Sequence, residues 1–215
     1  MVDLYSMIDQ YKDRPEEIYP ESFFKMMQRP RAWQKEIGKA IGKKYGVKSA
    51  IDFGCGLGYY LDGLYNSGAN VAGIEFMYKN AVNYLAPDVS QYIKFGNVME
   101  PIGFDYYGMF DLSMSVEVAE HILTEKSDVF VQNLTRTSTK YVFLTAAPPG
   151  QGGDGHINEQ DKSFWIEKMK KNGFEYNGKE TNELATIVGD IKGRLQISGR
   201  YINIIKKNLM FFNKV

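Results

Sequence analysis

Short runs with an apolar centre and a few polar positions fall at 49–53, 70–75, 91–95, 109–115 and 140–145. Such runs predict strands buried on both faces of a sheet. Between them, wider apolar spacing predicts helices near 3–12, 31–45, 58–67, 77–85, 116–137 (with a break allowed near Thr124) and 161–171. The segment 31–45 carries Trp33, Ile37, Ile41 and Tyr45 on one face and stops at Gly46. A tail adds a strand near 174–180 and another at 200–206, in Arg200-Tyr201-Ile202-Asn203-Ile204-Ile205-Lys206. Alternating strand and helix predicts an α/β fold with a parallel sheet covered on both faces. Residues 1–30, with Tyr19–Phe24 and Gln28–Pro30, stand outside that pattern and read as a lid or an edge cover.

The length of 215 residues suits one domain with a full core, divided here into a helical cover at 1–48 and an α/β core at 49–215. Composition is ordinary, 44% hydrophobic and 24% charged, so nothing points to disorder. The first residues lack a basic segment followed by an apolar one, and no apolar run approaches the roughly 18 residues that span a bilayer. A soluble, cytoplasmic protein without membrane contact is expected. The one cysteine, Cys55, excludes an internal disulfide and fits a reducing compartment. Net charge is zero but uneven: Lys and Arg against Asp and Glu number 10 and 7 in residues 1–48, 5 and 14 in 49–161, and 11 and 5 in 162–215. The acidic centre disfavours a polyanion and suits a cation, and the basic flanks lack the aromatic interleaving of a nucleic-acid stripe.

The strongest local signal is Ile51-Asp52-Phe53-Gly54-Cys55-Gly56-Leu57-Gly58. Three glycines at alternate positions let the backbone turn tightly and a ligand approach where a Cβ would intrude. A dinucleotide fingerprint beginning at Gly54 would need glycine at position 59, where the chain has Tyr59. Asp52 two residues before the first glycine, in Asp-x-Gly-x-Gly-x-Gly, instead resembles the first motif of class I S-adenosylmethionine-dependent methyltransferases. The resemblance implies a Rossmann-like fold with a seven-stranded, mostly parallel sheet and an antiparallel last strand. It also implies that Gly54, Cys55, Gly56 and Gly58 lie against S-adenosyl-L-methionine, with Asp52 beneath. Glu75, closing the next strand in Asn70-Val71-Ala72-Gly73-Ile74-Glu75, is placed to accept from two ribose hydroxyls. By the same resemblance Asn97 and Val98 after the third strand and Ser115 at the end of the fourth line the cofactor. Asn97 stands where that family usually has aspartate.

Past the fourth strand come Glu117, Glu120 and His121, spaced i, i+3 and i+4, which on a helix is one face. The second of two histidines, His156, follows the fifth strand in a loop with four glycines, and loops after those two strands share one edge of a parallel sheet. Two carboxylates and an imidazole so close perturb one another unless a cation or a proton is shared, and such a set suits Mg²⁺ or Mn²⁺. Two chemistries stay open: a divalent ion, or metal-free acid–base use of His121 or His156. Glu-x-x-Glu-His with a later histidine resembles metal-dependent O-methyltransferases that act on neighbouring hydroxyls, either the terminal ribose of small RNAs or catechol-like quinone precursors. That resemblance implies metal ligation by Glu117, Glu120, His121 and His156, and catalytic roles for Glu117, His121 and His156. The stretch Ala147–Trp165 further resembles methyltransferases that decorate polysaccharides. The expected acceptor is therefore a vicinal diol on a sugar of a glycan, with RNA, a catechol-like small molecule or a non-catalytic scaffold role as alternatives.

Overall fold

The structure is a computed structural model, and it describes residues 21–29, 31–76, 79–196 and 199–215. Seven strands form one sheet: β1 (Ser49–Phe53), β2 (Asn70–Glu75), β3 (Ile93–Phe95), β4 (Phe110–Val116), β5 (Ser138–Thr145), β6 (Phe174–Tyr176) and β7 (Leu209–Lys214). Their order is β3-β2-β1-β4-β5-β7-β6. β1 to β5 pair in parallel, and β7 runs antiparallel between β5 and β6. The order reverses between β1 and β4, so the C-terminal ends of these two strands open a crevice, the usual ligand position in such sheets.

Helices α1 (Glu21–Met27), α2 (Arg31–Tyr45), α3 (Tyr59–Tyr65), α4 (Ser127–Thr137), α5 (Lys162–Lys171), α6 (Gly178–Arg194) and α7 (Arg200–Asn208) cover the sheet. One buried cluster joins Trp33, Ile37 and Ile41 of α2 with Leu61 and Leu64 of α3, Val188 of α6 and Ile202 of α7. On the other face Phe130 and Leu134 of α4 pack with Trp165 and Met169 of α5. Trp165 is fully buried, so it does anchor the helix after the long loop. Helices α2 and α3 meet through glycine: a Cβ on Gly38 would stand 2.1 Å from the Tyr60 carbonyl oxygen, and one on Gly63 would stand 2.0 Å from that of Lys35.

Several expected elements change. The region 200–206 is helical, not a strand, because Ile202, Ile205 and Asn208 line one buried face at helical spacing; the last strand begins at Leu209. The strand expected to 180 stops at Tyr176, and α6 follows it, a helix not foreseen, capped where the Asn177 side chain accepts from the Glu180 N–H. The helix expected at 77–85 is a 3₁₀ turn over Lys79–Tyr84, with 77 and 78 outside the described residues. The helix expected over 116–137 becomes the end of β4, two 3₁₀ turns at Ala119–His121 and Thr124–Lys126, and then α4. The helix near 3–12 lies outside the described residues. Met99 and Met114 are core, as expected of them, whereas Met109 is 61% exposed. No described helix is long and apolar enough to cross a membrane.

Candidate active site

The glycine turn leaves β1 at the switch point. Gly54, Gly56 and Gly58 hold φ of +76°, +57° and +81°, values that L side chains rarely adopt. Space is short as well: a Cβ on Gly54 would meet Val118 at 2.5 Å, one on Gly58 would meet Ile93 at 2.7 Å, and one on Gly56 would meet Met27 of α1 at 2.9 Å. The covering role expected of the N-terminal region thus falls, among described residues, to α1, which lies over the turn. Glu75 ties the turn to β2, its Oε2 accepting from the Gly56 N–H at 2.6 Å and its Oε1 from the Phe76 N–H at 2.7 Å. Burial raises its pKa and those two bonds oppose the rise. A carboxylate has about four lone-pair sites, so Glu75 keeps capacity for hydroxyl donors.

Asp52 is 1% exposed and its Oδ1 has no hydrogen-bond partner among the described residues. Burial, then the charge of Glu75, holds its carboxyl well above the ordinary range. A buried acid left without a donor, beneath a turn that keeps clear of side chains, fits a cationic or hydrogen-donating ligand. Cys55 is buried and burial pushes its thiol up, which removes it as a nucleophile.

Three residues expected at the cofactor also hold the protein together. Ser115 is buried and its hydroxyl donates to the Phe53 carbonyl at 2.6 Å, stitching β4 to β1. Asn97 Oδ1 accepts from the Met99 N–H at 2.9 Å, leaving its amide nitrogen as the group able to meet a ligand. Val98 is a core residue beside Met99.

The second group forms past β4. Glu117 has φ +53°, outside the helical region, so the expected single helix face over Glu117, Glu120 and His121 does not exist. Its N–H donates instead to Thr145 Oγ1 at 2.8 Å, and its carboxylate accepts from Asn208 Nδ2 at 3.1 and 3.2 Å. Gln151 joins this group, its amide oxygen accepting from Asn208 Nδ2 at 3.0 Å. Glu120 and His121 then sit in a 3₁₀ turn. Glu120, His121 and His156 bring ligating atoms within 4.8 Å of one another, the one such group among the described residues. Glu120 is fully buried; its oxygens make no well-formed hydrogen bond, and the Glu117 carboxyl and the Ala147 N–H stand beside them. Burial first, and the neighbouring Glu117 second, hold it well above the usual carboxylate range. Burial, with the His156 ring beside it, pushes His121 down to about 4, against the pull of the Gly155 carbonyl.

The two imidazoles stand edge to face with centroids 4.9 Å apart. His121 Nδ1 lies 3.1 Å from the Gly155 carbonyl oxygen and His156 Nδ1 lies 2.8 Å from Glu159 Oε1, so in both rings the nitrogen outside these bonds is Nε2. Each ring carries the outer-shell acceptor that a metal-binding histidine needs. A Cβ on Gly153 would stand 2.3 Å from His156 Nε2 and 2.6 and 2.7 Å from Cδ2 and Cε1, so glycine lets the loop backbone pack against this ring. These residues could hold a divalent cation, with Glu117 adjacent as a further carboxylate.

Residues the sequence reading passed over complete the site. Asn158, 2% exposed, donates to the Ala119 carbonyl and to Ser127 Oγ and accepts from Thr124 Oγ1, pinning the loop after β5 to the turn after β4. Glu159, Thr145 and Asn208 hold His156 and Glu117 as described. Asn208, the last residue of α7, sets the end of that helix against this group. The spacing of Glu159 three residues beyond His156 was a visible signal; Asn208 was hidden by the mistaken strand.

No family model matches the chain. Over 92 residues, 40% of this chain and 13% of the relative, it is 29% identical to the O-antigen chain terminator bifunctional methyltransferase/kinase WbdD of Escherichia coli. The match therefore spans a small part of that relative's length. The fold is similar to that of magnesium protoporphyrin IX methyltransferase from Synechocystis PCC 6803 with bound SAH, at 17% identity and TM-score 0.55 over 67% of this chain and 74% of that one. It is also similar to the Burkholderia thailandensis 1,6-didemethyltoxoflavin-N1-methyltransferase with bound S-adenosylhomocysteine, at 11% identity and TM-score 0.57 over 98% and 86%. The architecture is thus the Rossmann-like class I methyltransferase fold.

Proposed function

We propose that this chain is an S-adenosylmethionine-dependent O-methyltransferase, assisted by Mg²⁺ or Mn²⁺, that methylates a hydroxyl of a vicinal diol on a sugar residue of a glycan. One observation carries the reading: the fully buried Glu120 carboxylate, with Glu117 beside it, shares a cluster within 4.8 Å with two imidazoles whose Nδ1 atoms are both engaged, past the end of β4 at the switch point of this fold. Its donor set, oxygen with two imidazole nitrogens, suits a divalent transition ion, and Glu117 adjacent as a second carboxylate favours Mn²⁺ over Mg²⁺. When bound, S-adenosylmethionine supplies an electrophilic methyl group and a divalent ion supplies a Lewis acid that lowers a hydroxyl pKa.

The chain's own residues supply position and charge. The Gly54–Gly58 backbone and buried Asp52 bind the amino-acid end of the donor, and Glu75 accepts from its ribose. Glu120, His121 and His156 hold the ion, and Glu117, kept in place by Asn208, adds negative charge beside them. The loop after β5 and helix α7 flank the acceptor, excluding water and orienting its oxygen toward the methyl group. The partial match to an O-antigen chain terminator methyltransferase supports a saccharide acceptor.

The test is methyl transfer from S-adenosylmethionine to a panel of rhamnosyl, fucosyl and catechol acceptors, with Mn²⁺, Mg²⁺ or a chelator. Transfer to a sugar diol, lost in chelator, is expected. Equal transfer in chelator refutes the metal and leaves the imidazoles as the base; transfer to catechols alone refutes the sugar.

A further inference from the structure

The loop between β5 and α5 contains its own lock. Glu159 stands three residues past His156, and one carboxylate meets three donors: Oε2 accepts from the Gly150 N–H at 2.7 Å, and Oε1 accepts from the Gly152 N–H at 2.7 Å and faces His156 Nδ1 at 2.8 Å. Gly150, Gly152 and Gly155 all have positive φ, so without these bonds the arc would have many conformations to choose from. At the other end of the carboxylate's own segment, buried Asn158 is stapled to Ala119 and Ser127. Glu159 therefore sits on the fixed part of the loop and the glycine arc folds back onto it.

We infer that Glu159 is a positioning residue that closes the Gly150–Gly155 arc and sets the tautomer of His156 in a single arrangement, so that His156 is ready to ligate only when the loop is shut. An ionised carboxylate accepts and never donates, so the proton of that bond belongs to His156 Nδ1 and the lone pair of the neutral ring belongs to Nε2. Nε2 is a ligating atom of the cluster with Glu120 and His121 only if Nδ1 stays with Glu159. Two backbone N–H groups from the arc and one imidazole N–H share the same acceptor, so moving any one of them exposes the others to loss. The purpose assigned to this lock rests on the metal-assisted reading, but the tautomer and the loop closure do not.

The test uses the full chain, metal-free, with ¹⁵N-labelled histidine, at about pH 8, where an ordinary imidazole is neutral. Long-range ¹H–¹⁵N spectra report which ring nitrogen is protonated, and with two histidines in the sequence the signals are few. Wild type is expected to show His156 protonated at Nδ1. Glu159→Ala should move it toward a mixture with protonated Nε2, and Glu159→Gln, which keeps an acceptor oxygen, should retain most of the wild-type signal. Mn²⁺ affinity should fall about 10- to 100-fold in Glu159→Ala and less in Glu159→Gln. If Glu159→Ala does not fold, Glu159→Leu, which keeps the bulk and removes the acceptor, takes its place. An unchanged tautomer in a folded variant that lacks the acceptor overturns the inference. A wild type that binds no Mn²⁺ yet shows the tautomer change refutes the metal reading and upholds the positioning role.

Discussion

Gly153→Ala adds one methyl group at the point where the loop approaches His156 most closely. The new Cβ would stand 2.3 Å from Nε2, 2.6 Å from Cδ2 and 2.7 Å from Cε1 of the ring. Ordinary contact begins near 3.4 Å, so ring and loop must part by about 1 Å. The ring is held from the other side by Glu159 at 2.8 Å, so it cannot retreat without giving up that bond. Gly153 itself does not have positive φ and is exposed, so the backbone accepts alanine and stability should change by less than about 1 kcal/mol. A displacement of about 1 Å at a reacting group costs on the order of 100-fold in rate. The assay is kcat/KM for methyl transfer with Mn²⁺, paired with a urea midpoint. Gly103→Ala is the control: its φ of −57° accepts an alanine and nothing stands within 4 Å of the added Cβ. Gly153→Ala with wild-type stability and kcat/KM within about twofold of wild type would refute the assignment of His156 to the site.

Gly38→Ala and Gly63→Ala drive a methyl group into the backbone of the facing helix at 2.1 and 2.0 Å, and each should lower unfolding free energy by about 3 kcal/mol in urea titration; a loss below about 0.5 kcal/mol would contradict the close crossing. Asn158→Ala removes a 2% exposed side chain that bonds Ala119, Ser127 and Thr124, and should cost about 2 kcal/mol and release the loop to proteolysis; an unchanged urea midpoint and cleavage pattern would refute its stapling role. Because burial and Glu117 raise the Glu120 pKa, the ion-free folded chain binds more protons than the unfolded chain between the ordinary carboxylate range and the raised value. Its stability contribution from Glu120 is therefore fully present below the ordinary range and falls as pH rises. A bound cation removes that penalty, so the rise in Tm caused by Mn²⁺ should be larger at about pH 8.5 than at about pH 5.5, and smaller at both in Glu120→Gln. Equal Mn²⁺ shifts at the two values would refute Glu120 as a ligand.

The core strands were legible because each is a largely apolar run with a turn residue after it, and six of the seven begin within a few residues of their expected places. The last was not. Arg200–Lys206 holds Tyr201, Ile202, Ile204 and Ile205, a β-branched, aromatic run that local preference assigns to a strand. In the fold Ile202 and Ile205 both reach the cluster beneath α2, and only helical spacing puts them on one side. Leu209–Phe212, fully buried, then takes the place between β5 and β6 that the sheet leaves. The choice is tertiary, and no window confined to 200–206 contains it. The close crossing of α2 on α3 was written more openly, as Gly38 and Gly42 one turn apart on an amphipathic helix.

The site shows the opposite balance, with residue types legible and their means of assembly hidden. The spacing of Glu117, Glu120 and His121 reads as a helix face, yet Glu117 is at φ +53° and Ile122 is extended, so no helix carries them. What holds them is hydrogen bonding from distant segments: Thr145 and Asn208 on Glu117, and the Ile157 and Asn158 N–H groups on the Glu120 carbonyl at 2.9 and 3.0 Å. A helix would satisfy its own backbone groups; a strand end followed by a 3₁₀ turn cannot, and must borrow donors from the loop after β5. The loop that supplies those donors also brings His156. Assembly of the turn and arrival of the second imidazole are therefore one event, and the carboxylate of Glu120 is buried only when the nitrogen that would share its ligand is already beside it.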